Sequence, residues 1–333
     1  MLLKPTIVFE TYWQFAVERQ NIFFKKLRGE AGPWTKDPIL KEYKFTNAYR
    51  AADRVSQYLI RNVIYRGDQS PEEVFFRIIL FKLFNRIDTW ELLEKHLGGI
   101  RYADYSFEKY DRVLSTAQSE GLRIFSGAYI MPSGCAQYKN SKKHRSYLKL
   151  IEKMMCDALP SRLVEADSMC KAFELLSSYP MIGDFLAYQY VIDINYSEMT
   201  NFSEMEFVKA GPGARAGIRK CFEDSGGLSE EDIIRYVTEH QEEEFLRRDL
   251  KFQTLWGRPL QLIDCQNLFC EVDKYARLAH PEANGQSKRR RIKQKYRPNN
   301  EPIEYWFPPK WGLVVDGERM KRAKVCGGEA SLE

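Results

Sequence analysis

Residues 177–190 read SSYPMIGDFLAYQY, an apolar helical pattern broken at Pro180, turned through Met181, Ile182 and Gly183, and restarted at once. Two helices joined by a turn that closes on glycine form a hairpin suited to holding an anion. Glycine lets the backbone approach a phosphate, and the amides opening the second helix point at the anion with the helix dipole behind them. Leu175, Leu176, Ile182, Leu186 and Ala187 fall where the two helices would pack. Such hairpins usually carry glycine at both ends. Met181 stands at the first of these positions, which weakens the expected grip of Gly183. The competing reading is an ordinary packing corner between two helices.

Outward from the hairpin, apolar residues recur at spacings of three and four over 11–27, 45–65, 71–84, 89–97, 106–120 and 144–158. The same spacing continues over 161–178, 184–194, 214–222, 229–246 and 265–278. Start signals agree, with Pro71 after Ser70 and two acids behind it, and Ser229 followed by acids. Gly98-Gly99, Gly226-Gly227 and Gly257 mark helix ends. Residues 123–131 alternate like a strand, but one extended piece makes no sheet. The expectation is a mostly α fold: a compact helical bundle over 1–283, divisible into two packed lobes, then a basic loop and an aromatic, proline-rich wrap over 284–333.

The 333 residues are 44% hydrophobic, 14% aromatic and 29% charged, a globular composition. Seven cysteines in no metal-binding or CxxC spacing argue against a disulfide framework, and the four histidines show no metal spacing. No apolar run approaches the length of a membrane span. A cytoplasmic protein with no cofactor, no metal and no membrane partner is expected. Net charge is only +5, yet residues 284–300 hold seven cations and no acid. Lys288, Arg289, Arg290 and Arg291 open that run. Such a stretch suits phosphate contacts, a nuclear-import signal or simply a solvated loop.

Other stretches carry candidate chemistry. YKFTNAYR (43–50) brings together Lys44, Thr46, Asn47, Tyr49 and Arg50, aromatic walls and polar groups of the kind a flipped base needs. The alternative is that Tyr49 is core and Arg50 pairs with Asp53. In LIDCQNLFCEVDKYAR (262–277), Asp264, Asn267 and Glu271 share one helical face, which suits a cleft lining or a network capping neighbouring helices. Gly211-Pro-Gly213-Ala-Arg215 suits a backbone anion nest opening the helix that carries Arg215 and Arg219, or a plain turn in a packed core.

Taken together, YKFTNAYRAADRVSQYLI, LFKLFNRIDTWELLE, FSGAYIMP, SYPMIGDFLAYQYVIDINYS, FSEMEFVKAGPGARAGIRKCF, LWGRPLQLIDCQNLFCEVDKYAR and WFPPKWG carry a resemblance over about 12–312. They resemble the family of the helical domain of 5-hydroxymethyluracil DNA kinases, which is similar to the α-glutamyl/putrescinyl-thymine pyrophosphorylases. More remotely, the chain resembles the helix-hairpin-helix DNA glycosylases, some implicated in defence against phages with hypermodified bases. The second likeness implies an essential carboxylate shortly after the hairpin, and Glu204 and Glu206 lie 21 and 23 positions after Gly183. A carboxylate there would stabilise the cationic sugar as the glycosidic bond breaks.

The expectation that follows is a monofunctional DNA glycosylase, a hydrolase that excises a modified pyrimidine and leaves an abasic site, with modified-base DNA as partner. Asp184 and Phe185, not lysine, follow Gly183, which disfavours a Schiff-base lyase. The alternatives are a transferase building hypermodified thymine from pyrophosphorylated 5-hydroxymethyluracil, and a non-enzymatic reader of modified DNA. Against the kinase label, the sequence holds no GxxxxGK[ST] loop and no protein-kinase glycine loop.

Overall fold

The computed structural model describes residues 3–127, 131–132, 142–284, 290–298, 304–315 and 318–319. It is mostly α, with two small antiparallel strand pairs among the described residues. The helices are α1 Ile7–Leu27, α2 Pro38–Glu42, α3 Arg54–Tyr58, α4 Pro71–Phe84, α5 Ile87–Leu97, α6 Phe107–Ser119 and α7 Lys143–Cys156. They continue with α8 Leu159–Val164, α9 Met169–Ser177, α10 Asp184–Ile194, α11 Pro212–Cys221, α12 Glu230–Glu239, α13 Gln241–Arg247 and α14 Leu262–Ala279. The relation to a helix-hairpin-helix glycosylase bundle expected from the sequence is not shown by this architecture.

The chain divides into two compact units. One comprises Met1–Asp53 and Glu204–Tyr305, the other Arg54–Ser203 and Trp306–Glu333.

In the first unit α14 is the central helix, and α1, α11 and α12 pack on it. Its inward face is lined by Leu262, Cys265, Leu268, Phe269, Val272 and Ala276, all nearly inaccessible. Two glycines let α11 lie close. A Cβ on Gly217 would fall 2.0 Å from the Phe269 carbonyl oxygen, and one on Gly213 would fall 2.2 Å from Cys270 Sγ. Close approach to the Phe269 backbone at Gly217 and to the Cys270 side chain at Gly213 thus accounts for glycine at both positions. Lys4–Pro5 pairs antiparallel with Phe222–Asp224, and Thr6 caps α1 by accepting the Val8 N–H.

In the second unit α4 is mostly apolar and is buried from Glu73 to Phe84, as a central helix must be. Lys82 on α4 meets Asp193 on α10 at 3.1 Å in this interior. The hairpin of the opening sequence is here. Leu176, Ile182, Leu186 and Ala187 are buried where α9 and α10 pack. Met181 adopts φ +69, the left-handed conformation that glycine takes without strain. The C-terminal aromatics return onto the same unit: Trp306 packs edge-on to Tyr65 and its backbone N–H donates to Gln57 Oε1, while Lys310 donates to the carbonyls of Ser197 and Thr200.

Several sequence expectations change. The helix expected over 45–65 starts only at Arg54, because the amides of Thr46, Asn47 and Arg50 donate to side-chain carboxylates rather than to helical carbonyls. The helix expected over 161–178 is broken before Ser168, which caps α9 through the Lys171 N–H. That over 229–246 is broken at His240. The strand expected over 123–131 is not formed by residues 123–127 or 131, and 128–130 lie outside the described residues.

Candidate functional site

The polar residues singled out in 43–50 and 262–277 meet within the first unit. Residues 43–49, non-helical and bent at Ala48 and Tyr49, lie against α14, and the segment is held by carboxylates that accept backbone N–H groups. Glu271 Oε2 accepts from Thr46 at 2.9 Å, and Asp264 Oδ1 accepts from Arg50 at 2.8 Å. Asp53 Oδ1 turns the chain by accepting from Asn47 at 2.8 Å, and the Asn47 amide donates to the Ala52 carbonyl. Asn267 completes the face by donating to Thr46 Oγ1 at 2.9 Å. The i, i+3, i+7 spacing of Asp264, Asn267 and Glu271 therefore carries one connected seam along α14.

Buried polar groups persist only when their partners are supplied, and Arg19 supplies the rest. From α1 its guanidinium donates to the carbonyls of Phe45 and Thr46 and to Asn47 Oδ1. Burial pushes its pKa down, opposed by the charges of Asp53 and Glu271. The Asp264 carboxyl is pushed up to about 7, burial outweighing the N–H groups of Gln261 and Arg50 that favour its ionised form. Lys274 pairs with Glu271 at 2.7 Å and lies over the Phe45 ring. Tyr49 is core: its hydroxyl donates to the Arg258 carbonyl and accepts the Leu255 N–H. Arg50 is buried as well.

What remains accessible is the edge of this seam. Thr46, Asn47 and Asn267 are half-buried, and Lys44 is exposed. Lys44 also joins the seam to the basic segment, its N–H donating to the Gln294 carbonyl at 3.0 Å. Alongside it, Tyr43 and Lys295 form an antiparallel bridge. Arg290 and Arg291 are exposed. Lys288 and Arg289 lie outside the described residues.

Glu204 and Glu206 also belong to this unit but differ in setting. Glu204 is buried and ion-paired with Arg258 at 2.7 Å, whereas Glu206 is exposed. Arg235 of α12 fixes the segment by donating to the carbonyls of Met205 and Glu206. Gly211 caps α11, Gly213 packs on Cys270, and Arg215 and Arg219 are exposed on the same helix. Gly183 belongs to the other unit, where it caps α10. A Cβ there would meet nothing within 4 Å, and its φ of −84° is open to any residue.

Sequence reasoning missed Arg19 and Arg258. Arg19 was legible, since it interrupts the buried series Phe15, Arg19 and Phe23 on one face of α1. Nothing near Arg258 in the sequence marks it.

Comparison with known proteins bears on the chemistry. A family model described as "5-hmdU DNA kinase, helical domain" matches residues 6–285. The chain is 27% identical over 331 residues to a protein of Bacillus phage SP10 named "5-hmdU DNA kinase", covering 92% of this chain and 51% of that protein. It thus spans about half the length of the curated relative it matches. No solved structure matches the chain. These likenesses overturn the base excision expected above. A kinase is a transferase, so the glycosylase and hydrolase readings, with their abasic-site product, do not stand. A hairpin and a downstream acid are motifs of shape, and they do not specify which bond reacts.

Proposed function

This chain belongs to the family of the 5-hmdU DNA kinase helical domain, and on that premise we propose that it serves a transferase acting on 5-hydroxymethyl-2′-deoxyuridine in DNA. Within that reaction the chain takes the DNA and nucleoside side. The observation that carries this reading is the carboxylate-held segment 43–49. It presents Thr46, Asn47 and Asn267 at an accessible edge, beside exposed Lys44 and the exposed cations of the basic segment. Hydroxyl and amide groups at such an edge suit a hydroxymethyl substituent, which both donates and accepts hydrogen bonds. The seam beneath holds them in one geometry.

In this reading Glu204, in its ion pair with Arg258, positions the 204–206 segment, and Glu206 is the carboxylate offered to the substrate hydroxyl as proton acceptor. Asp264 and Glu271 hold the recognition segment, and Tyr49 and Arg50 form its floor. Arg215, Arg219, Arg290 and Arg291 contact DNA phosphates. Gly183 offers a further phosphate contact, since neither packing nor backbone conformation demands glycine there. The GxxxxGK[ST] loop by which many transferases cradle nucleotide phosphates does not occur in these residues, which supports placing the phosphate donor elsewhere than on the segments above.

The test is binding to matched oligonucleotides containing 5-hydroxymethyluracil or thymine, followed by fluorescence anisotropy. One additional hydrogen bond to the hydroxymethyl group is worth about 1 kcal/mol, so a preference of about fivefold or more is expected. Equal affinity for the two oligonucleotides would overturn the reading. Alkali treatment of the incubated DNA should produce no strand breaks, because the base stays attached.

A further inference from the structure

Residues 291–297, RIKQKYR, alternate in the structure as well as in the sequence. Arg291, Lys293, Lys295 and Arg297 are exposed, while Ile292 is buried and Gln294 and Tyr296 are half-buried. The backbone is held alongside residues 42–44 by two hydrogen bonds, the Lys44 N–H to the Gln294 carbonyl and the Tyr296 N–H to the Glu42 carbonyl at 2.8 Å, which together form the Tyr43–Lys295 bridge. Tyr296 is fixed inward by Lys26, which donates to its hydroxyl at 2.9 Å and lies over its ring. Side chains on extended chain alternate between faces, so one parity anchors the segment and the other faces solvent.

The consequence is a row of four cations, not a diffuse basic patch. Successive members are two residues apart, about 6.6 Å at about 3.3 Å per residue of extended chain. That is close to the separation of neighbouring phosphates along one extended nucleotide strand. Among the described residues, acidic opposition to this row is slight. Glu42 pairs with Lys295 at 3.2 Å, but both side chains are largely exposed, and such pairs contribute little.

We propose that Arg291, Lys293, Lys295 and Arg297 form a comb that tracks the sugar–phosphate backbone of a single DNA strand, one phosphate per cation. This deepens the function proposed above and rests on it for the identity of the nucleic acid. The comb is joined through residues 42–44 to the segment carrying Thr46, so a strand lying on it runs beside the proposed base-recognition edge. Phosphate contacts set register and orientation and carry no base information.

The experiment compares the full chain with the variant R291S/K293S/K295S/R297S on single-stranded oligonucleotides across a salt series. Circular dichroism serves to confirm that the variant folds, as expected because the bridge to residues 42–44 uses backbone groups. Each lost phosphate contact on a single strand reduces the slope of log affinity against log salt by about 0.7, so the quadruple variant should lose about 3 and R291S/K295S about half of that. The preference for 5-hydroxymethyluracil over thymine should be unchanged in both. An unchanged salt slope overturns the comb, as does a loss seen with duplex but not with single strands. Loss of the base preference together with the slope would mean that the segment reads the base, and also overturns it. If the slope falls as expected but the full chain shows no base preference, the comb stands and the proposed function fails.

Discussion

Arg258 Nη2 donates to Glu204 Oε1 at 2.7 Å, and the two side chains retain only 17% and 5% of their exposure. A buried pair of this kind is weak support for stability as a whole, but losing one partner strands the other charge away from water. Arg258→Met should therefore cost about 3 kcal/mol or more in urea unfolding. Replacing both residues, as E204L/R258M, should cost clearly less than the two single changes summed. Additive costs would show that the two charges do not depend on each other.

The two close glycines on α11 should respond differently to a single methyl group. At Gly217 the obstacle is the Phe269 carbonyl, which cannot move without shifting α14, so Gly217→Ala should destabilise by about 3 kcal/mol or more. At Gly213 it is the Cys270 sulfur. Gly213→Ala should cost about 1–3 kcal/mol, and Cys270→Ala in the same chain should restore most of it. Thermal melts of the single and double variants decide this. Failure of the rescue would mean that helix spacing, not the thiol, sets the limit.

Asp264 gives the first unit a pH-dependent element with a definite sign. Its carboxyl, pushed up to about 7 from an ordinary 3.8, binds a proton in the fold over a range where the unfolded chain has released it. Its contribution to stability is thus fully present below about pH 4 and is lost as pH rises through about 7. Asp264→Asn has no such titration. The stability advantage of the natural chain over this variant should shrink with rising pH across that window, by about 1 kcal/mol per pH unit at its steepest. Urea midpoints at pH 5, 6, 7 and 8 measure it, and a constant difference would mean that Asp264 ionises near its ordinary value.

How much of this was legible without coordinates differs from element to element. The range 184–194 coincides with α10 and 71–84 with α4, because an apolar run bounded at its start by Gly183 or by Pro71 needs little from the rest of the chain. Residues 45–53 misled because Phe45, Tyr49 and Ala52 are spaced as on a helix. Their neighbours' amides are instead taken by carboxylates as far away in sequence as Glu271, and local pattern holds no trace of such partners. The common face of Asp264, Asn267 and Glu271 was readable from spacing, whereas the segment it faces was not. Glu204 was singled out and Arg258 was not, since an ion pair between two loops leaves no periodicity. The reaction was misjudged for a different reason: bond-making is decided by the substrate's reactive group, which a helical hairpin does not specify.

Met181 offers a test of the hairpin by itself. A side chain held at φ +69 carries a strain of about 1 kcal/mol that glycine would not, although glycine also gives the unfolded chain more freedom. Met181→Gly should therefore leave the melting temperature unchanged or raise it slightly. A marked fall would mean that the half-buried Met181 side chain supplies packing that outweighs the strain.

Asn267 separates recognition from folding most cleanly. It is half-buried at the accessible edge of the seam, and its amide donates one hydrogen bond to Thr46 Oγ1. Thr46 itself stays anchored through its backbone N–H to Glu271 and its carbonyl to Arg19. Removing the amide thus deletes one neutral hydrogen bond and leaves the scaffold in place, a cost of about 1 kcal/mol in unfolding. If this edge contacts the hydroxymethyl group, Asn267→Ala should lower affinity for 5-hydroxymethyluracil DNA by about fivefold or more while affinity for thymine DNA hardly changes. Thr46→Val should act in the same direction, since it keeps the shape and removes the hydroxyl. Equal losses on both DNAs would place these residues in general DNA binding, and no loss on either would move base recognition to another part of the chain.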